Sequence, residues 1–357
     1  MMYAVIMAGG IGTRFWPRSR FELPKQFLNI LDNRTLIQAT YDRLHCIIPR
    51  QQIFVVTTEA QSQQVRTQLP QLPAENLIVE PKGKNTAPCI GLAAVMLKRI
   101  DPEAVMVVLP SDHRIQREEQ FYSVLRSAEQ FALKTDSLIT LGIRPTYAST
   151  GYGYIQLNGQ VDEINGIPIF KVKTFAEKPD ATTATRFIES GDFLWNSGMF
   201  IWRVSAILHA IEELLPELYD SLMEIEKHLG EPIQDEVIKK VFCQIKSISI
   251  DYGVMEQSKN VYVLKGDFDW NDVGSWDEVY KISDKDENRN VIIGNHFAKD
   301  SQGCYIDSPH RFIATLGVED LIIVDAGDAL LICRRDHAQR VKDLVEALKR
   351  KNLEQFL

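Results

Sequence analysis

The chain has 357 residues, of which 45% are hydrophobic, enough for one large domain and a smaller one. Its formal net charge of -8 argues against a nucleic-acid binder, because binding a phosphate backbone requires a basic surface. Five scattered cysteines, with no C-x-x-C pair, indicate neither structural zinc nor a disulfide framework. The start MMYAVIMAGG lacks a basic n-region and is only as long as a strand, so we expect a cytoplasmic protein without a membrane segment.

The first 142 residues alternate between strand-like and helix-like stretches. Helical patterns occur in TLIQATYDRLHCII, with Thr35 as its N-cap, and in APCIGLAAVMLKRI after Asn85 and Thr86. Short apolar runs, typical of strands buried on both faces, occupy residues 4–7, 53–57, 77–80, 105–109 and 138–142. This alternation predicts an α/β fold with a mixed, mostly parallel sheet and helices on both faces.

The remaining chain divides near residue 284. Hairpin-like and acidic helical segments extend from Gly151 to about Trp276, and we expect them to carry a second substrate. After the charged linker DKDENRN come VIIG, CYID, FIATLG, LIIV and ALLIC, which predict a small β domain. A closing helix is expected to begin at Asp336. The predicted domains are therefore residues 1–283, catalytic, and 284–357, a small β domain with a terminal helix.

The stretch MAGGIGTRFWPRSRFELPKQ follows the first predicted strand. It is no Walker A loop, and it fits a dinucleotide fingerprint only at Gly10 and Gly12, because Phe15 holds the third position and prolines interrupt the next helix. A glycine turn followed by Arg14 and Lys25 suits a nucleoside triphosphate, whose phosphates are bound by backbone amides while the two cations neutralise charge. The alternative is an ordinary turn with two solvated cations.

Two carboxylates are candidates for a magnesium site. Asp112 follows the strand-like AVMVVLP, and Asp272 lies in the aromatic-flanked stretch DFDWNDVGSW. Magnesium commonly takes one or two protein carboxylates and completes its shell with phosphate oxygens and water. The alternative for each is a helix or turn cap, and Asp267 and Asp269 are close enough to compete with Asp272. We give His113 no catalytic role, because phosphoryl transfer relies on positioning and charge neutralisation.

Three further stretches are candidates for binding a phosphorylated sugar. Glu177 and Lys178 in FAEKPD pair a hydroxyl acceptor with a phosphate-binding cation, although a β-turn with exposed charges is the alternative. Gly151 and Gly153 in TGYGYIQ permit close approach of the backbone to a ligand, although a β-bulge is the alternative. Asn196 in WNSGMFIW bridges two sugar hydroxyls or caps a turn.

A series of motifs in this order resembles the sugar-nucleotide pyrophosphorylase family, in particular its mannose-1-phosphate guanylyltransferases. The motifs are MAGGIGTRFWPRSR, LPKQF, EPKGKNTAPCI, LPSDH, GYGYI, FAEKP, WNSGMF, IDYGVMEQ, FDWNDVGSW and GVEDLIIVDAGDALLICRRDHAQRVKDLV. They span almost the whole chain, and coincidence becomes an inadequate explanation when so many motifs occur together. The resemblance implies a Rossmann-like nucleotidyltransferase domain followed by a left-handed β-helix-like domain that often takes part in dimerisation, so a homodimer is expected.

The resemblance also implies the reaction, which is transfer of GMP from GTP to α-D-mannose 1-phosphate with Mg²⁺, and it assigns roles to residues. Arg14, Lys25 and Lys178 would be catalytic, and Asp112 and Asp272 would hold the metal. The nucleotide would be bound by Ala8, Gly9, Gly10, Gly12, Thr13, Asn85, Thr86 and Asp112. The sugar phosphate would be bound by Gly151, Glu177, Lys178, Asn196 and Asp251, the last as a sugar-site or structural position.

This chain departs from the family pattern in two respects. Phe15 stands where the family more often has Leu, and no histidine-rich metal cluster follows the closing helix, so phosphomannose isomerase activity is not expected. Two alternatives stay open: a sugar-1-phosphate nucleotidyltransferase with another base or a glucose-type sugar, and a regulatory relative that binds sugar nucleotide without catalysis. The presence of all five charged candidates at positions 14, 25, 112, 178 and 272 favours catalysis.

Overall fold

The computed structural model describes all residues from Met1 to Leu357. The chain forms two compact units, and it passes between them several times. The first unit comprises Met1–Gly9, Tyr41–Ser111 and Ile115–Trp270, and the second comprises Gly10–Thr40, Asp112–Arg114 and Asn271–Leu357. No helix combines the length and the apolar character needed to cross a membrane.

Fifteen strands and ten α-helices make up the regular structure. The strands are β1 (Met2–Ala8), β2 (Ile53–Thr58), β3 (Leu77–Glu80), β4 (Val105–Pro110), β5 (Arg114–Ile115), β6 (Leu138–Ile143), β7 (Tyr154–Ile164), β8 (Ile167–Ala176), β9 (Phe193–Arg203), β10 (Val261–Gly266), β11 (Trp270–Asn271), β12 (Val291–Lys299), β13 (Tyr305–Leu316), β14 (Leu321–Asp325) and β15 (Leu330–Arg334). The helices are α1 (Leu36–His45), α2 (Ser62–Gln68), α3 (Thr86–Ile100), α4 (Glu118–Lys134), α5 (Ala181–Ser190), α6 (Val204–Leu214), α7 (Pro216–Lys227), α8 (Gln234–Gln244), α9 (Trp276–Ile282) and α10 (Val341–Arg350).

The first unit is built on a nine-stranded sheet in the order β3-β2-β1-β4-β9-β6-β10-β8-β7. Strands β1 to β4 are mutually parallel, β10 is parallel to β6, and β9 and β8 run antiparallel to their neighbours. All five predicted apolar runs are strands of this sheet, which confirms the expected mixed sheet. Their continuous apolar character reflects burial on both faces: Val5, for example, pairs with Phe54 and Val108, and all three are buried.

Helices α3, α6, α7 and α8 share one hydrophobic core with this sheet, and α4 packs against β9 and β10. The predicted helix starts are confirmed by their caps. The Gln38 amide donates to the Thr35 hydroxyl at 3.4 Å, and the Thr86 amide donates to the Asn85 side chain at 2.9 Å. Asn85 has a φ of 71° and a ψ of -172°, a strained backbone conformation that residues other than glycine rarely adopt.

The second unit contains the small β domain. Strands β12, β13 and β14 form parallel ladders, as in a coil of strands, and β15 closes the sheet antiparallel to β14. Its core includes Phe15 and Trp276 together with Tyr305 of β13 and Val341 and Val345 of α10. The residues after the glycine turn therefore pack into the same core as the β domain.

The expected start of the closing helix is wrong. Helix α10 begins at Val341, and the six preceding residues, Arg335–Arg340, form a 3-10 helix. Asp336 caps nothing, because its carboxylate binds the Arg334 guanidinium and the His337 ring on its own exposed turn. Local ion pairs compete with capping for an exposed aspartate.

Candidate active site

The carboxyl ends of β1 to β4 meet at one edge of the first unit's sheet, because these strands are parallel. The Ala8 carbonyl accepts a hydrogen bond from the Thr57 hydroxyl at 2.8 Å, which fixes the end of β1. Gly9 follows, and a Cβ at this position would lie 3.9 Å from Oε2 of Glu80. The backbone of Gly9, which carries no side chain, therefore lies beside the carboxyl group of Glu80 at the end of β3.

Glu80 is a candidate functional residue that the sequence analysis missed. Its side chain is buried, and Oε1 has no hydrogen-bond partner. Burial raises its pKa to about 8. An unsatisfied buried carboxylate oxygen is costly unless a ligand supplies a donor. The sequence did contain a signal for Glu80. Like Asp112, it lies at the carboxyl end of an apolar strand, where open α/β sheets bind ligands: it is the last residue of LIVE, just before a proline.

The glycine turn lies in the second unit and folds back against the residues around Lys25. Gly12 has a φ of 73°, and a Cβ there would collide with the Cβ of Lys25, so both conformation and space require glycine. The Lys25 amide donates to the Ile11 carbonyl at 3.1 Å, and the Gln26 side chain donates to the Gly10 carbonyl at 3.0 Å. A Cβ on Gly10 would meet nothing within 4 Å, which leaves open space beside that backbone.

Thr13 and Arg14 lie in a short 3-10 helix that ends at Phe15. Arg14 Nε is buried and has no hydrogen-bond partner. A guanidinium is always charged, and a buried donor of this kind is stabilised by an anionic oxygen. The Nε of Arg14 is therefore a buried donor that the protein's own groups leave unused.

Lys25 is buried in the second unit and lies between the two predicted metal ligands. Its ammonium Nζ is 2.7 Å from Oδ2 of Asp112 and 2.8 Å from the backbone carbonyl oxygen of Asp272. It also lies 5.3 Å from the centroid of the Phe15 ring. The structure thus brings Lys25, Asp112 and Asp272 together, as the charge-neutralising arrangement requires.

Asp112 is held in its ionised form. Burial raises the pKa of this carboxyl, but the Lys25 ammonium, His113 and hydrogen bonds outweigh it, and the net pKa lies below its usual range. A carboxylate that is ionised at neutral pH is the state a divalent cation binds.

The backbone around Asp272 is shaped to accommodate its carboxylate. A Cβ on Gly274 would lie only 2.8 Å from Oδ2 of Asp272, so a larger residue there would displace the carboxylate. Between them Val273 is fully buried and has a φ of 48°, an unfavourable conformation for a β-branched residue. The competing acids are engaged elsewhere, since Asp267 and Asp269 both pair with Arg117.

The two carboxylates fit a magnesium ion better than a transition metal. The chain contains no group of three or more His, Cys, Asp or Glu side chains that could hold a metal. Zinc sites take at least three such ligands, whereas magnesium is commonly bound by one or two carboxylates and substrate phosphates. Asp112 and Asp272 meet that smaller requirement.

The predicted sugar-binding residues cluster in the first unit. The Asn196 amide donates to Oδ1 of Asp251 at 2.8 Å, and the Asn196 backbone amide donates to the Gly153 carbonyl at 2.8 Å. A Cβ on Gly153 would collide with the Glu177 carboxylate, which therefore lies directly over that glycine. Lys178 pairs with Glu177, and its side chain is 56% exposed. Gly151 lies in the adjoining turn, where its amide donates to the hydroxyl of Ser149 at 3.2 Å.

Carboxylates crowd this cluster. Burial first, and then the charge of Glu177, raise the pKa of Asp251 to about 6. Glu256, which the sequence analysis did not single out, accepts a hydrogen bond from the Glu177 amide at 3.2 Å. Its pKa is raised by burial and by Glu177. These acceptors are suited to sugar hydroxyls, which donate hydrogen bonds without adding charge.

Asn85 and Thr86 have structural contacts. The Thr86 hydroxyl accepts a hydrogen bond from the Ile250 amide at 2.8 Å, which ties the start of α3 to the segment that carries Asp251. The role of Cys89 was left open by the sequence. The structure buries this thiol in the core of the first unit, and burial together with the nearby Glu80 raises its pKa well above the usual range, so it is an unreactive core residue.

Known proteins match this chain over its whole length. Residues 3–289 match the family model of the nucleotidyl transferases, and residues 294–348 match that of the MannoseP isomerase/GMP-like beta-helix domain. A mannose-1-phosphate guanylyltransferase of Salmonella muenchen is 40% identical over 98% of this chain and 73% of its own length. One of Escherichia coli is 37% identical over 96% of this chain and 75% of its own length.

A solved structure agrees with these relatives. The mannose-1-phosphate geranyltransferase of Thermus thermophilus has a TM-score of 0.88 and 31% sequence identity, and the match covers 98% of this chain and 99% of that one. The fold and the site define a nucleotidyltransferase. The chain belongs to the nucleotidyl transferase family, and within it to the mannose-1-phosphate guanylyltransferases.

Proposed function

We propose that the protein transfers GMP from GTP to α-D-mannose 1-phosphate and releases pyrophosphate. The observation that carries this proposal is the buried Lys25 ammonium, held by Asp112 and by the Asp272 carbonyl next to a glycine turn. The relatives named mannose-1-phosphate guanylyltransferase supply the base and the sugar.

In the proposed reaction a phosphate oxygen of mannose 1-phosphate attacks the α-phosphorus of GTP. A new P–O bond forms, and the bond from the α-phosphorus to the bridging oxygen breaks, with its electron pair leaving on pyrophosphate. No protein nucleophile is needed, because the attacking phosphate is already anionic. The protein's task is to position the reactants and to neutralise their charge.

Residues of the glycine turn would bind the phosphates of GTP. The backbone around Ala8, Gly9, Gly10, Gly12 and Thr13 offers amides with little side-chain obstruction. Arg14, whose buried Nε lacks a partner, would bind the departing pyrophosphate. Lys25 would neutralise charge at the α-phosphorus.

Mg²⁺ is the metal we propose, held by the carboxylates of Asp112 and Asp272. When bound, it would withdraw charge from the phosphate oxygens. Lys25 and Asp112 already form an ion pair, so the protein holds this region close to neutral before substrates arrive. Asp112 contributes a carboxylate that is ionised at neutral pH, because Lys25 and hydrogen bonds outweigh burial and hold its pKa below the usual range.

Glu80 would recognise the base, with Asn85 and Thr86 nearby in the chain. Guanine presents an N1–H and an exocyclic amine side by side, and a carboxylate accepts from both. Adenine lacks that pair of donors. A buried carboxylate left without its donors is costly, so Glu80 would discriminate against the wrong base.

The mannose phosphate would be bound by the cluster in the first unit. Lys178 would neutralise the sugar phosphate, and its exposed side chain is able to follow that group. Glu177, Asn196 and Asp251 would accept or donate hydrogen bonds to sugar hydroxyls, and the backbone at Gly151 would allow close approach.

We also propose a homodimer in the cytoplasm, with residues 1–283 as the catalytic domain and residues 284–357 as the β domain. Large apolar side chains at Phe297, Phe312, Leu316 and Ile332 are exposed on β12, β13 and β15, and a second copy would cover them. None of the five cysteines forms a disulfide, which supports a reducing compartment.

The test is pyrophosphate release by the purified protein with Mg²⁺, using GTP, ATP, UTP, CTP and dTTP, each with mannose 1-phosphate and with glucose 1-phosphate. We expect the strongest release with GTP and mannose 1-phosphate, and its loss on adding a chelator. Activity with another combination of nucleotide and sugar phosphate would support the same mechanism but assign different substrates. No release in any well, together with tight binding of GDP-mannose, would identify a regulatory binding protein instead.

A further inference from the structure

The segment between the glycine turn and Lys25 has little regular structure of its own. It contains two 3-10 helices of three residues each, Thr13–Phe15 and Lys25–Phe27, and no α-helix or strand. Arg14 and Lys25 are nevertheless required to hold fixed positions. Hydrogen bonds such as that from the Lys25 amide to the Ile11 carbonyl hold the segment together. Contacts with other parts of the second unit fix where the segment lies in that unit.

A buried ion pair joins this segment to β13. Nη1 of Arg18 lies 2.7 Å from Oδ2 of Asp307, whose side chain is fully buried, and Nη2 of Arg18 donates to the Asn29 side chain at 3.1 Å. The guanidinium thus bridges two partners with its rigid fork of donors. A buried charge pair contributes little net stability compared with apolar packing, and its best use is to specify geometry.

A row of aromatic rings makes a second connection. The Tyr305 ring of β13 lies 5.5 Å from that of Trp276, which lies 4.9 Å from the Phe15 ring in an edge arrangement. The Trp276 indole also donates to the Trp16 carbonyl at 3.1 Å. Phe15 in turn is the ring beneath the Lys25 ammonium.

We propose that β13 positions the catalytic segment, with Asp307 and Arg18 as positioning residues and the Tyr305–Trp276–Phe15 row as a packing support. This inference rests on the proposed function for the roles of Arg14 and Lys25. It gives the β domain a part in turnover that is separate from dimerisation. Small displacements of charge-neutralising groups are expensive, since about 1 Å of misplacement can cost roughly a hundredfold in rate.

The test compares Asp307→Asn, Arg18→Lys and the double variant with wild type, using the full chain. Arg340→Gln is the control, because Arg340 lies in the same unit but its ion pair with Asp343 is exposed, with the two side chains 69% and 50% accessible. We expect kcat to fall roughly ten- to a hundredfold in each single variant, with a non-additive double variant. The KM for mannose 1-phosphate should change little, and Arg340→Gln should resemble wild type. Arg18→Lys keeps the buried charge paired, so it remains informative if Asp307→Asn does not fold.

Hydrogen exchange of residues 13–25 provides a readout that does not depend on turnover. We expect faster exchange in the Asp307 and Arg18 variants and not in Arg340→Gln. Variants that are folded, with wild-type kcat and unchanged exchange in this segment, would overturn the inference. An inactive wild type would count against the proposed function, while the exchange result would still decide whether β13 orders the segment.

Discussion

The regions around Lys25 and around Asp251 both combine aspartate and lysine side chains, but the pKa of the aspartate is lowered in the first and raised in the second. In the first, one buried ammonium contacts Asp112 and the Asp272 carbonyl, and the pKa of Asp112 is lowered. In the second, Asp251 lies near the charge of Glu177, and its pKa is raised to about 6. The corresponding lysine, Lys178, is mostly exposed.

This difference indicates different tasks. The Lys25 region is close to charge balance before a ligand binds, which suits fixed groups that must meet a developing charge. The Asp251 region has surplus acceptors and an exposed cation, which suits recognition of hydroxyls and of a phosphate that arrives with the substrate. We therefore expect changes in the first region to affect kcat and changes in the second to affect KM.

Lys25→Ala should have the largest effect, a fall in kcat of roughly 10²–10³-fold, because the charge it neutralises develops during the reaction. Steady-state pyrophosphate release measures this. Lys246→Ala, at a lysine whose side chain is 80% exposed, is the control. Full turnover by a folded Lys25→Ala variant would contradict the role assigned to this lysine.

Lys178→Ala should raise the KM for mannose 1-phosphate by roughly 10–100-fold, the effect of losing one charge-assisted hydrogen bond. The KM for GTP should stay near its wild-type value. Lys134→Ala, another exposed lysine of the first unit, serves as control. If kcat alone fell, the contrast between the two regions would be lost.

Glu80→Gln should reduce the preference for GTP over ITP, which lacks the exocyclic amine, from roughly tenfold towards equality. The glutamine carbonyl accepts from only one of the two guanine donors. Because the pKa of Glu80 is about 8, the wild-type KM for GTP should fall as the pH rises from 7 to 9, and in the variant it should not. The exposed Glu75→Gln is the control. An unchanged GTP-to-ITP ratio would remove Glu80 from base recognition.

Asp251→Asn should have the smallest effect, one on stability. The folded chain holds the Asp251 proton more tightly than the unfolded chain, so wild-type stability falls as the pH rises from about 4 to about 6 and then levels off. The asparagine keeps an acceptor for Asn196 and removes this loss. At pH 7 the variant should therefore be more stable by about 3 kcal/mol, with a much smaller difference at pH 4.

Urea denaturation at several pH values measures this difference, with the exposed Asp284→Asn as control. A stability difference that does not vary with pH would show that burial and Glu177 do not raise the pKa of Asp251. It would also remove the electrostatic contrast between the two regions.

Much of the fold was predictable because its signals are local. The five apolar runs predicted strands β1 to β4 and β6 of the large sheet, and Thr35 and Asn85 marked the starts of two helices. The start of α10 was missed because ion pairs on its exposed turn engage Asp336. Glu80 was missed because a glutamate at the end of a strand gives no sign of whether its oxygens find partners.

The sequence by itself determined the alternation of strands and helices over the first 142 residues, the glycine turn after the first strand and the charged residues available for catalysis. Periodicity, backbone conformation and residue chemistry depend mainly on near neighbours. Only the tertiary structure decided that Lys25 meets Asp112, 87 residues away, and Asp272, 247 residues away. It also decided that Asp112 is ionised while Asp251 and Glu80 hold protons more tightly, because burial and nearby charge arise from residues distant in the chain.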